Sequence, residues 1–463
     1  TAGTYDAITQ TVTFDIDFDD GDYFTLSGIP EVLVIHSVDD GLWSDVDTWD
    51  CVCIPGENDS VYIDPATEVT VDIDGYVDFL RVEFTANLIM DTDVTLEING
   101  DFEMAGDTEF TDGTVSFTGE VAQDITIIST AAYVMDLNDV IIENTSTDDV
   151  TFNQHTYDLN GTLFPNRGNI VFDPSTRFRI ASTGAAETGQ IGPIIAPTTI
   201  TGNVTAQRFI GPGAADWRDI CSPVIGSIFD DWDPDLAMSG EGFPDGCAYG
   251  PDDCFRSVTF TDHSILYEVI NSTDEILNGR GYEVFMGDDL ELFSGTTLNS
   301  VGSVNPSTAI VNTYTTGWTI FGNPYCSTIA FSGLTRSGSI GNYFYVYDPA
   351  SGAYEWYDGA SGATSIPVIT EDGLMSSGQA VWIFASSIGT ITLLISIAVL
   401  IFWIPLSQKP GMGTIFNALI IALMIDLCIK FVPTPTTYTY KLILAVVSVI
   451  TVGIGGGIYL VSN

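Results

Sequence analysis

The chain has 463 residues and a formal charge of −50, from 12 basic and 62 acidic side chains. A field that negative repels nucleic acid and anionic lipid, so it excludes a nucleic-acid partner, and it attracts cations. Residues 386–463 hold Lys409, Lys430, Lys441 and one acid, Asp426, which leaves 9 basic and 61 acidic residues in 1–385, all nine of the former being Arg. An acidic part that stays hydrated in salty water is thus joined to a nearly neutral, apolar part. Calcium is the one cofactor the composition suggests, because oxygen-rich Asp/Asn loops suit that ion.

Residues 1–40 form an N-terminal β segment, expected to be the end of a preceding domain. In "TFDIDFDDGDYFTL", Phe14, Ile16 and Phe18 alternate with Asp15, Asp17 and Asp19. That period of two predicts a strand with one acidic face. The three acids almost fit a calcium loop and are candidate ligands, but Gly21 falls one place late for the EF-hand pattern.

Residues 41–185 are expected to form a parallel β-helix. Short runs rich in Val, Ile, Thr and Phe ("VTVDI", "LRVEF", "VTLEING", "GTVSFTG", "DVIIEN", "GNIVFD") recur between Gly, Asn and Asp. Such runs fit coils that each bury one row of apolar side chains. A β-sandwich is the alternative. At the start, Trp43 and Trp49 can cover the end of the stack, and Pro55-Gly56 turns the chain into the first strand. This stretch, with Asp59, Val61, Ile63, Val69 and Val71, resembles the entry segment of surface proteins from the Bacteroidota, and overlaps the pattern of G8-type β-rich domains. "GTVSFTGEVAQDITI" followed by "LNDVIIEN" also resembles β-helix stretches of those proteins, and the resemblance implies a structural role for Gln123.

Residues 200–385 are expected to be a β-sandwich-like domain. In order, "RFIGPGAADWRDICSPVIGSIFDDW", "GRGYEVFMG", "GWTIFGNPYCSTIAF", "NYFYVYDPASGAYEWYDG" and "ITEDGLMSSGQAVWIFAS" resemble the domain that precedes the C-terminal sorting signal in many Bacteroidota proteins exported by the type IX system. Cys326 stands where that family usually has Pro or another residue. The resemblance implies a cell-surface, mostly non-enzymatic protein. Within this region the acidic turn at Asp230 and Asp231, next to Trp232, is a candidate calcium or sugar site.

Six of the seven Cys lie in the acidic part: Cys51, Cys53, Cys221, Cys247, Cys254 and Cys326. They allow three disulfides, whose connectivity is not legible in sequence. Cys247 and Cys254 bracket a short loop and are the favoured pair. Cys51 and Cys53 lie two apart, on one face if the segment is a strand, and two thiols alone make an incomplete zinc site. His36, His155 and His263 belong to no nucleophile or zinc motif.

After "AVWIFAS" that family continues to a β-rich sorting domain, whereas here residues 388–461 predict three transmembrane helices, at 388–406, 412–431 and 442–461, each about 20 residues and mostly apolar. "WIPLSQKPGMGTIFNALIIALMIDLCIKFVPTP" and "GIGGGIYL" resemble part of the small bacterial membrane family called YczE/YitT-like, from which no activity is carried over. Asp426 within the second segment is a candidate ion or proton site. Lys430 follows one turn on, so a local ion pair is the competing account.

The sequence therefore predicts a cell-surface, extracellular, mainly all-β protein: a parallel β-helix plus a β-sandwich-like domain, followed by C-terminal transmembrane α-helices. Its expected function is structural or adhesive, stiffened by calcium or assembled into a filament or layer. Its expected partners are other surface proteins, glycans, a second copy of itself, and membrane lipid through the helices. A glycan-active β-helix enzyme and a membrane function centred on Asp426 are the alternatives. No residue pattern assigns a catalytic group.

Overall fold

A computed structural model describes residues 4–6, 11–13, 32–128, 133–182, 184, 189–244, 246, 255–262, 264–287, 292–308, 317–336, 340–365 and 373–385. Asp15, Asp17, Asp19, Cys247, Cys254, Asp426, Lys430 and the three apolar segments of 388–461 lie outside them. Among the described residues no helix is long and apolar enough to cross a membrane. Their regular elements are strands, apart from three short 3-10 turns.

The first half is a parallel β-solenoid. One face is an eight-stranded parallel sheet from Val34–His36 to Thr199–Thr201, so seven full turns separate its first and last strands. Two further faces stack beside it. One runs from Gly41–Leu42 through Glu68–Val71, Asn87–Met90 and Thr156–Leu159 to Asn203–Ile210. The other runs from Gly75–Val77 through Thr95–Ile98 to Gln190–Ile191. Val61 pairs with Leu80, and Ile170 with Ile200, so a coil takes between 19 and 30 residues. The repeat is one of position rather than of length.

Alternation explains the stack. In Ser60–Ile63, Glu68–Val71 and Asn87–Met90 every second side chain is buried, the signature of a strand with one wet face. Registered stacking then lines up Ile35, Val61, Leu80, Phe102, Ile125, Phe152 and Phe172 as a single inward row. Each of these is at most 2% exposed. Aromatic residues fill the later coils: Phe152 packs edge-on against Tyr157 and Phe178, with ring centroids 5.3 and 5.2 Å apart.

Both ends of the stack are closed. At the start, Trp43 and Trp49 are buried and meet edge to face at 5.1 Å. The Trp49 indole Nε1 donates to the Trp43 carbonyl at 3.1 Å. At the far end Asn203–Ile210 makes parallel contacts to the previous coil on one side. On its other side it pairs antiparallel with Thr296–Val304. Val224, Val304 and Cys326 join the same apolar cluster and cover the last coil.

The solenoid thus reaches beyond the expected 41–185 at both ends. Val34–His36 is too short to show alternation in sequence. The final coil is separated from its predecessor by the Pro-rich connection 192–198. Gln123 is structural: wholly buried, its Nε2 donates to the carbonyls of Ile98 and Gly100, and its Oε1 accepts from Gly119 N and Asn144 Nδ2.

The second half carries two four-stranded antiparallel sheets. The first has the order Asp216–Ile220, Tyr282–Met286, Val258–Asp262, Ile265–Glu268. The second has the order Gly317–Gly322, Ala380–Ala385, Ile340–Asp348, Ala353–Asp358. Each sheet covers its own core. Ile220, Tyr282, Val284 and Val258 pack around Phe229 and Trp232 behind the first, and Phe344, Tyr357, Val381 and Ile383 pack around Phe331 behind the second. Their opposite faces look at each other.

Candidate functional site between two facing sheets

The second sheet's outward face is set by alternation in "NYFYVYDPASGAYEWYDG". Phe344 and Tyr357 point into the core, so Tyr343, Tyr345, Tyr347, Tyr354 and Trp356 take the other face. Cross-strand pairing adds Trp382 beside Tyr345, and Phe384 beside Trp318. The result is a continuous aromatic wall. Trp318 and Tyr345 meet at 76° with centroids 5.2 Å apart, and Tyr354 and Trp382 at 89° and 6.0 Å. Trp318 and Tyr354 remain 38% and 49% exposed.

The facing wall comes from the first sheet and has the opposite character. Asp219 and Glu283 are direct cross-strand partners, and Thr259 pairs with Glu283. The same alternation that buries Ile220 and Val284 behind the sheet turns these polar side chains toward the aromatic wall. Gly281 permits the close approach: a Cβ there would lie 2.6 Å from Ile320 Cγ1 and 2.7 Å from the Ala380 Cβ.

Asp219 ties the walls together. Its carboxylate accepts from the Tyr347 backbone N–H at 3.0 Å and from the Trp382 indole Nε1 at 3.2 Å. Burial pushes its pKa up to about 7, helped by the charge of Glu283 and opposed by these two hydrogen bonds. Burial also raises Glu283, opposed by a hydrogen bond from Thr259. Neither acid makes an ion pair among the described residues. Between the walls lies a cleft of about 500 Å³ lined by Thr261, Ser264, Trp318, Tyr345, Tyr354 and Trp382. Aromatic faces and hydroxyls together can hold a small polar or cationic group against π-surfaces.

The residues singled out from sequence are placed differently. Asp230 and Asp231 sit in the 3-10 turn Phe229–Asp231. Asp231 Oδ2 accepts from Ser227 Oγ at 2.7 Å, Ile228 N at 3.1 Å and Val301 N at 3.2 Å, so it holds the turn against the strand that closes the solenoid. Trp232 is not available to a sugar: it is 1% exposed, and its Nε1 donates to Ser300 Oγ at 2.9 Å. Among the described residues no three His, Cys, Asp or Glu side chains gather as a metal cage.

Cys51 and Cys53 are joined in a disulfide. Cys221 and Cys326, both candidates for bridging, are free and buried. Cys326 closes the solenoid core and Cys221 packs with Ile320, Ala380 and Trp382. Burial pushes both thiols up to about 12. His36 Nδ1 lies 2.9 Å from Asp64 Oδ1 and stacks on Tyr62.

Sequence reasoning missed the cleft. Its aromatic residues were visible as an alternating run, but the acids opposite them, Asp219 and Glu283, lie on earlier strands, among sixty others.

No protein family matches the chain, and no solved structure does. A segment of 73 residues, 16% of this chain, is 34% identical to an uncharacterized protein of Haemophilus influenzae (strain ATCC 51907 / DSM 11121 / KW20 / Rd). The chain spans about a third of that relative's length, 34%.

Proposed function

We propose that this is a cell-surface structural or adhesive protein in which an acidic β-solenoid carries a ligand-contacting head. One observation carries the reading: Asn203–Ile210 is at once the last coil of the solenoid and the partner of a strand in the head region. Stalk and head therefore share one hydrogen-bonded sheet, and no flexible linker joins them at that point. A coil stack of this kind resists bending, because each coil is bonded along its length to the next. Its outward rows are rich in Asp, Thr, Asn and Glu, which keeps a long rod hydrated and unassociated.

The head's aromatic cleft is the contact site in this reading. Its partners are other surface proteins, glycans or a second copy. Residues 388–461 are proposed to hold the chain at a membrane through lipid, on the strength of their length and apolarity alone. Calcium is proposed to stiffen Asp-rich loops, and composition is what supports it.

The test is immunolabelling of intact cells that make the protein, with antibody raised against residues 34–210. Amine-directed labels are unsuitable, since residues 1–385 contain no Lys. Labelling without permeabilisation is expected. Labelling that requires permeabilisation sinks the surface reading.

A further inference from the structure

We infer that the cleft between the two head sheets takes an organic ammonium, a quaternary or methylated amine, as its ligand. The inference rests on the cleft being the contact site proposed above, and names the chemical class it takes.

Ring geometry is the first argument. Trp318 stands at 76° to Tyr345, and Tyr354 at 89° to Trp382. Perpendicular rings make the corners of a box, whereas a pyranose ring stacks best on one flat platform. Two such corners along the aromatic wall present several electron-rich faces to the same cleft. That arrangement suits a cation within about 6 Å of the ring centroids.

Charge is the second argument. The lining includes no Lys or Arg. In the facing wall, Asp219 and Glu283 are neighbours on adjacent strands without a cationic partner among the described residues. The guanidinium of Arg280 is held over Phe260, 4.4 Å from its centroid. That ring engages the charge, and Arg280 does not line the cleft. A cationic ligand therefore meets aromatic faces with no competing cation in the lining, and two acids lie in the wall beside it. Methylation suits it further, because a quaternary centre gives up little hydration on entering an aromatic box. At about 500 Å³ the cleft has room for such a head with a short chain attached.

The test is titration of the full chain with tetramethylammonium and choline, followed by tryptophan fluorescence and calorimetry. The controls are 3,3-dimethylbutanol, the uncharged isostere of choline, and methyl glycosides. Saturable binding of both cations is expected, with the isostere at least tenfold weaker. Trp318→Ala should weaken choline binding tenfold or more, and Trp318→Phe should restore much of it. Glu283→Gln should weaken it severalfold while leaving the melting transition cooperative. Equal binding of choline and the isostere would overturn the inference, as would saturable binding of a glycoside but not of choline; in the latter case the cleft survives as a contact site. Silence toward every ligand would overturn both the inference and the contact site.

Discussion

The indole Nε1 of Trp382 donates to the carboxylate of Asp219 at 3.2 Å, from one four-stranded sheet to the other. Burial raises the folded-state pKa of Asp219 from 3.8 to about 7. The folded chain thus holds a proton between roughly pH 4 and 7 that the unfolded chain has released. A group that binds more protons when folded makes stability fall as pH rises. The contribution is present at the acid end of that window and lost toward pH 7, with an upper bound of about 4 kcal/mol. Urea unfolding at a series of pH values, for parent and Asp219→Asn, measures it. The difference between the two should vary across pH 4–7 and level off on either side. A pH-independent difference would remove Asp219 as a titrating contact.

Gln123 marks where a coil corner is sealed by a side chain. It occupies two carbonyls and one backbone N–H, and it orients Asn144, which also donates to the Val121 carbonyl at 2.7 Å. Gln123→Ala strands these groups in a dry corner, at a cost of roughly 3 kcal/mol. Thr70→Ala, on the outward row between buried Val69 and Val71, should fall within about 0.5 kcal/mol. Chemical denaturation of both variants checks the contrast.

Trp49 closes the first coil, and solenoid coils contact only their neighbours. Trp49→Ala removes a fully buried indole and should cost about 4 kcal/mol. The loss should be local: amide exchange should accelerate across 34–71 well before it does across 169–206. Uniform acceleration would mean that the stack opens as one unit.

Much of this architecture was legible because alternation is a local signal. Val69 and Val71 against Glu68 and Thr70 announce a half-buried strand without any partner. The paired Trp43 and Trp49 announced a covered end. Gln123 was legible through resemblance. The cleft was not, because it depends on which sheet faces which. Tyr345 and Trp382 become wall residues only once their own sheet's core is known, and Asp219 gains its character only from burial against Trp382. The Asp230–Asp231 turn is the complementary case. Its acids and Trp232 are adjacent in sequence, yet the indole faces the core and Asp231 serves the backbone.

That turn yields a final prediction. Asp231 gathers donors from Ser227, Ile228 and Val301, so Asp231→Ala unpins the turn from Thr296–Val304, the strand that caps the solenoid. The expected loss is about 2 kcal/mol, from leaving buried donors unpaired. It should be the same with calcium or with chelator, because three protein donors occupy its Oδ2. Calcium bound elsewhere in the acidic loops must still raise the parent's melting temperature, since binding to the native state stabilises it. Melting the parent and Asp231→Ala with and without chelator separates the two effects. A parent unmoved by chelator removes calcium from the proposal. A chelator effect that disappears in Asp231→Ala would place the ion on that carboxylate and overturn its purely structural role.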